Sequence, residues 1–68
     1  MADITVEDIQ KLCPKAENIT ITADGTVGMK VGSMAMSENV YRNKNKQEIR
    51  NQIVALYRRL VTMNLNLN

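Results

Sequence analysis

The 68-residue chain contains no histidine, no tryptophan and no phenylalanine, and it has one cysteine and one proline. Without histidine, and with a single thiol, zinc sites, histidine-based triads and an intrachain disulfide framework all fail at the counting stage. Cys13 has no histidine to activate it and stands next to Pro14, so it reads as a small buried apolar residue rather than a nucleophile. Only Tyr41 and Tyr57 carry rings, so the core must be aliphatic, helped by five methionines. No apolar run approaches the roughly 18 residues that span a bilayer. The opening Met1-Ala2-Asp3-Ile4 is acidic where a secretory signal carries positive charge, which predicts an intracellular, cytoplasmic chain with no membrane association.

What is present is the mix of a globular chain, 44% hydrophobic and 24% charged. The length predicts one small domain spanning residues 1–68. A chain of this size buries only about 60% of its unfolded surface and is marginally stable on size alone. Small scaffolds add disulfides, a metal or a partner chain, and only the partner remains open here.

The pattern of apolar residues lays out the elements. Thr5 reads as an N-cap with Asp8 three residues on, and Val6, Ile9 and Leu12 recur at helical spacing. Pro14 disfavours helix at the residue before it, so a first helix is predicted over about 6–12. Period two then takes over. Ile19 and Ile21 form one alternating set, and Val27, Met29 and Val31 form another, with Ala23-Asp24-Gly25 between them. Opposed residues share a face, so a two-residue loop would send the two sets to opposite faces. A three-residue loop pairs Ile21 with Val27 and Ile19 with Met29 and puts both sets on one face, with Gly25 in the left-handed region. Beyond Val31 the parity breaks, because Met34 and Met36 are even-numbered. Either Gly32-Ser33 is a bulge that bends a continuing second strand, or it is a turn into a third; the continued strand is the first choice.

Arg42 to about residue 45 reads as a basic solvated loop. Asn45 reads as an N-cap with Glu48 completing a capping box. Ile49, Ile53, Leu56, Leu60 and Met63 then follow at i, i+4, i+7, i+11 and i+14, which predicts a helix over about 46–63 and a frayed tail over 64–68. The expected fold is α+β: a short N-terminal helix, a β-hairpin and a long amphipathic C-terminal helix, with the long helix across the apolar face of the hairpin.

No catalytic or cofactor constellation emerges. Glu7 and Asp8 are neighbours on a helix and point apart. Gly25, Gly28 and Gly32 are not followed by the Gly-Lys-Ser/Thr of a phosphate loop. Met29, Met34 and Met36 read as core filling rather than a soft-metal surface. The expectation is therefore no enzyme, no cofactor, no metal and no small-molecule substrate.

Charge is distributed unevenly. Residues 1–41 hold three lysines against six acids, whereas residues 42–68 hold six cations against one acid. Such asymmetry points to an anionic partner for the second half. On a helical wheel the core stripe falls within about 40° of Ile49, and Arg50, Val54, Arg58 and Val61 form a second strip that Tyr57 joins to the first. Tyr and Arg are enriched at interface hot spots, and Val54 and Val61 lie outside the core stripe. Arg50, Val54, Tyr57, Arg58 and Val61 are therefore the expected partner-binding surface, for a second copy or for a protein with an acidic surface. The alternative is a small nucleic-acid-binding protein that holds phosphates with Arg42, Lys44 and Lys46, supported by Arg50 and Arg58. The element order, with the Asp24-Gly25 turn between two helices, also resembles the gpW family, the small head–tail joining proteins of tailed phages. That resemblance implies a viral assembly or accessory role as a further alternative. The first helix here is shorter and the loop before the second is longer than in that family.

Overall fold

Thr5 opens the first helix, α1 (Val6–Leu12), in a computed structural model that describes residues 4–40 and 45–66. Its hydroxyl accepts the Asp8 backbone N–H, and the Asp8 carboxylate accepts the Thr5 N–H, each at 3.1 Å. This is the predicted capping box, which satisfies two donors that the helix itself leaves unpaired. Ile4 before the cap and Ile9 inside it are both buried. The helix closes at Cys13, whose N–H donates to the Ile9 carbonyl at 2.8 Å, one residue before Pro14.

Three antiparallel strands follow in the order β1 (Glu17–Ile21), β2 (Thr26–Val31), β3 (Met34–Asn39). The first turn has the expected three-residue loop. Ile21 pairs with Val27, Gly25 donates its N–H to the Thr22 carbonyl at 3.0 Å, and Gly25 has a φ of +89°. The apolar sets of β1 and β2 thereby share a face, as the parity argument requires. The expected Ile19–Met29 pair falls in an irregular stretch, where the ladder shifts between Glu17 and Thr20 and Asn18 has a φ of +52°. Asparagine tolerates that left-handed conformation better than most residues.

The second turn corrects the sequence reading. β2 does not continue past Val31; Gly32-Ser33 is a two-residue turn, and Met34 pairs directly with Val31 and Met36 with Met29. A two-residue loop pairs odd positions with even ones, so the parity break marks a reversal of direction rather than a bulge. Gly32, with a φ of +60°, supplies the left-handed residue that so tight a reversal needs. The expected hairpin is thus a three-stranded sheet within the same α+β layout.

The long helix, α2, spans Lys46–Asn66. Asn45 caps it, but its carboxamide oxygen takes the Gln47 N–H at 2.8 Å rather than that of Glu48, so the expected box with Glu48 is replaced by a simpler cap. Ile49, Ile53, Leu56 and Leu60 are all buried. Each contributes about 1.5–3 kcal/mol if fully transferred from water. They face Val27, Met29 and Val31 of β2 with Ile9, Cys13 and Val40 in one core, and Met34 and Met36 pack half-buried at its margin, as core filling.

Two expectations about the end of α2 fail. Met63 is 37% exposed, and residues 64–66 are helical rather than frayed. At 1.5 Å per residue a 21-residue helix is about 31 Å long, whereas a six-residue strand is about 20 Å, so α2 is longer than the strands it crosses. The longest dimension of the chain is accordingly 39 Å, against 19 and 18 Å for the others. Among the described residues no helix is long and apolar enough to cross a membrane.

Candidate functional site

The flank of α2 singled out by the sequence is divided by the fold. Tyr57 is half-buried, and its phenolic oxygen accepts the Lys15 backbone N–H at 3.2 Å, which turns it toward the connection between α1 and β1. Arg50 is exposed and lines a cleft against α1. Val61 is half-buried and packs on the core. Val54 is half-buried and Arg58 exposed, and the two line a shallow hollow with Asn51 and Ala55. The five residues therefore do not form one patch. Arg50 and Tyr57 serve the α1 side, Val61 leans on the core, and Val54 and Arg58 border a separate hollow on α2.

Leu65 joins Val54 and Val61, and sequence reasoning missed it because the tail was expected to fray. With the helix continuing to Asn66, Leu65 falls about 160° from Ile49, beside Val54 at about 140° and Val61 at about 120°. Leu65 is 67% exposed. The outer face of α2 thus carries Val54, Val61 and Leu65 at i, i+7 and i+11, with Arg58 among them. Extending the wheel past Met63 would have found it.

The basic end is more concentrated than the sequence indicates. Lys46 and Arg50 stand one helical turn apart on α2, and Lys11 of α1 meets them across a cleft of about 170 Å³. Ile4 and Leu12 supply its apolar lining, and Asp8 is its single acid. The Thr5 N–H, then the Thr5 hydroxyl, hold the Asp8 carboxyl below its ordinary range, with Lys46 and Lys11 adding to the effect. Lys11 is 35 positions from Lys46, and no local pattern signals the meeting. Of the other expected phosphate ligands, Arg42 and Lys44 lie outside the described residues.

Arg59 makes the one ion pair among the described residues, to Glu38 of β3 at 3.0 Å. Both side chains are partly exposed, so the pair orients α2 over β3 more than it stabilises it. On the outer face of the sheet an open hollow is lined by Asn18, Thr20, Gly28, Lys30, Ala35 and Ser37. Gly28 forms its floor, because a Cβ there would lie 2.9 Å from the Thr20 hydroxyl oxygen. Cys13 is buried, and burial pushes its thiol up to about 11, away from the thiolate that reactivity needs. Among the described residues no group of three His, Cys, Asp or Glu side chains could hold a metal.

The fold and these surfaces define a small α+β domain with one long helix laid against a three-stranded sheet. No family model, no curated protein and no solved structure matches the chain. The third strand also departs from the two-stranded hairpin on which the likeness to the head–tail joining proteins rested.

Proposed function

We propose that this protein is a small non-enzymatic interaction module that self-associates through the outer face of α2. The observation that carries the reading is the strip of Val54, Val61 and Leu65, which runs about 16 Å along one flank of α2: Leu65 is exposed, and Val54 and Val61 are half-buried, with Val61 resting one side on the core. A chain of this size gains most from burying such a strip in a second copy, having no disulfide to stiffen it. Self-complementarity favours that occupant. In an antiparallel pair of α2 helices, Val54 of one copy meets Leu65 of the other, and Val61 meets Arg58. The aliphatic stem of Arg58 covers Val61 while its guanidinium stays in water at the rim.

Light scattering over a concentration series tests this. The wild type is expected to reach the mass of a dimer, and Val54→Lys and Leu65→Lys to remain monomers with unchanged helical content. A monomeric mass for the wild type at every concentration, or dimers in both variants, removes the reading.

A further inference from the structure

We propose that the cleft between α1 and the first turns of α2 binds a phosphate group. Lys11, Lys46 and Arg50 line this cleft, and among the described residues none of them has a carboxylate within ion-pair distance, since the Arg59–Glu38 contact is the one ion pair there. Among the described residues Asp8 is the one acid of the cleft, and its carboxylate accepts the Thr5 N–H in the α1 capping box. Among the described residues three cations therefore line the cleft against one carboxylate, which offsets only one of the three charges. Such an arrangement costs self-repulsion in the empty protein and is relieved by an anion.

Shape and chemistry narrow the anion. A cleft of about 170 Å³ is smaller than the pockets that take drug-sized ligands and suits a small oxyanion. Arg50 offers two parallel N–H donors to a pair of phosphate oxygens, and Lys11 and Lys46 supply point charges from opposite walls. The phosphate comes either from a small phosphorylated molecule or from the backbone of a nucleic acid. The site does not involve Val54, Val61 or Leu65, so it stands independently of self-association.

Amide chemical shifts of the intact chain, titrated in parallel with inorganic pyrophosphate and with a short single-stranded DNA, test the assignment. Saturable shifts are expected at Lys11, Lys46 and Arg50. Lys11→Gln, Lys46→Gln and Arg50→Gln should each raise Kd about tenfold, the loss of one charge-assisted hydrogen bond. All three side chains are exposed, so these variants keep the dispersed spectrum of the folded chain. Lys30→Gln removes one charge from the opposite side of the sheet and should leave Kd unchanged. Tight, saturable pyrophosphate binding assigns the site to a small phosphate compound. Binding of DNA alone, weakening steeply with salt, assigns it to a nucleic-acid backbone. No shift with either probe overturns the proposal, and so does a Lys30→Gln effect equal to that of the cleft variants, which would mark diffuse attraction.

Discussion

The phenolic oxygen of Tyr57 on α2 accepts the backbone N–H of Lys15, 42 positions earlier in the chain, at 3.2 Å. Residue 15 lies between α1 and β1, in neither element, so its amide has no helical or sheet partner. Tyr57 fills that vacancy from the opposite layer and ties the α1–β1 connection to the long helix. One of the two rings in the sequence thus has a structural assignment that fits its half-burial, with an apolar body on the core and a polar tip at the margin.

Tyr57→Phe keeps the packing and removes the acceptor. The expected loss of stability in denaturant unfolding is about 1 kcal/mol, because the Lys15 amide can turn partly to water. Hydrogen exchange at Lys15 should quicken, while the helical signal of the native state stays constant. An unchanged midpoint together with unchanged exchange at Lys15 would show that the bond does not hold the connection.

The acid limb of stability should carry the signature of Asp8 and Asp24. Thr5 holds the carboxyl of Asp8 below an aspartate's ordinary value of 3.8, and Thr22, followed by Thr26, does the same for Asp24. A group whose pKa is lower in the folded than in the unfolded chain contributes stability that is fully present above the unfolded value. That contribution is lost as pH falls through the folded one. Unfolding free energy should therefore hold steady down to about pH 4 and decline below it. Asp8→Asn removes the titrating group, so it should flatten part of that decline and also lower stability at neutral pH, because the charge on the first turn of α1 is gone. If Asp8→Asn leaves the slope below pH 4 untouched, Asp8 does not contribute to the acid limb.

The elements were legible in the sequence where a local rule decides them. Thr5, Asp8 and Pro14 bound α1, and parity across Ala23-Asp24-Gly25 sets the Ile21–Val27 register. The third strand was not, because the parity change at Gly32-Ser33 fits either a bulge or a reversal, and only the sheet as a whole distinguishes them. The helical tail escaped for a related reason: Asn64-Leu65-Asn66 alternates like a strand, and its contact with a turn about thirty residues away leaves no local signal. The candidate surfaces follow suit. Val54 and Arg58 were visible on the wheel, Leu65 depended on the tail, and the meeting of Lys11 with Lys46 and Arg50 depends on how α1 lies against α2.

That tail contact makes a prediction of its own. Ser33 donates its N–H to the Asn64 carboxamide oxygen at 3.5 Å, and a Cβ on Gly32 would run into the same carboxamide. Gly32→Ala should cost at least about 1 kcal/mol from its φ of +60°. It should also push Asn64 away and loosen the last turn of α2. Asn64→Ala removes the obstruction but not the backbone strain. A double-mutant cycle should thus show a coupling of about 0.5 kcal/mol or more, with the pair less damaging than the sum of the single variants. Strict additivity would mean that the turn and the helix end are independent.

Val54 and Val61 sit one heptad apart and look equivalent on the wheel, yet the structure gives them different surroundings. Val61 packs on the hydrophobic core, whereas Val54 borders an open hollow with Asn51, Ala55 and Arg58. Truncating Val61 to alanine removes carbon that the core already partly covers, at roughly 0.8 kcal/mol per fully buried methylene. Val61→Ala should therefore cost on the order of 1 kcal/mol at concentrations where the chain is monomeric. Val54→Ala should cost almost nothing there and can even gain a few tenths, because alanine is the better helix former. Raising the protein concentration should reverse the order of interest. If α2 pairs with a second copy, Val54→Ala becomes destabilising in proportion to association, while the Val61→Ala deficit is already present in the dilute chain. Thermal unfolding of both variants at two well-separated concentrations reads this out. Equal losses for the two at high dilution would show that Val54 belongs to the monomer's own core, and that the outer face of α2 has no apolar residue to spare for a partner at that position.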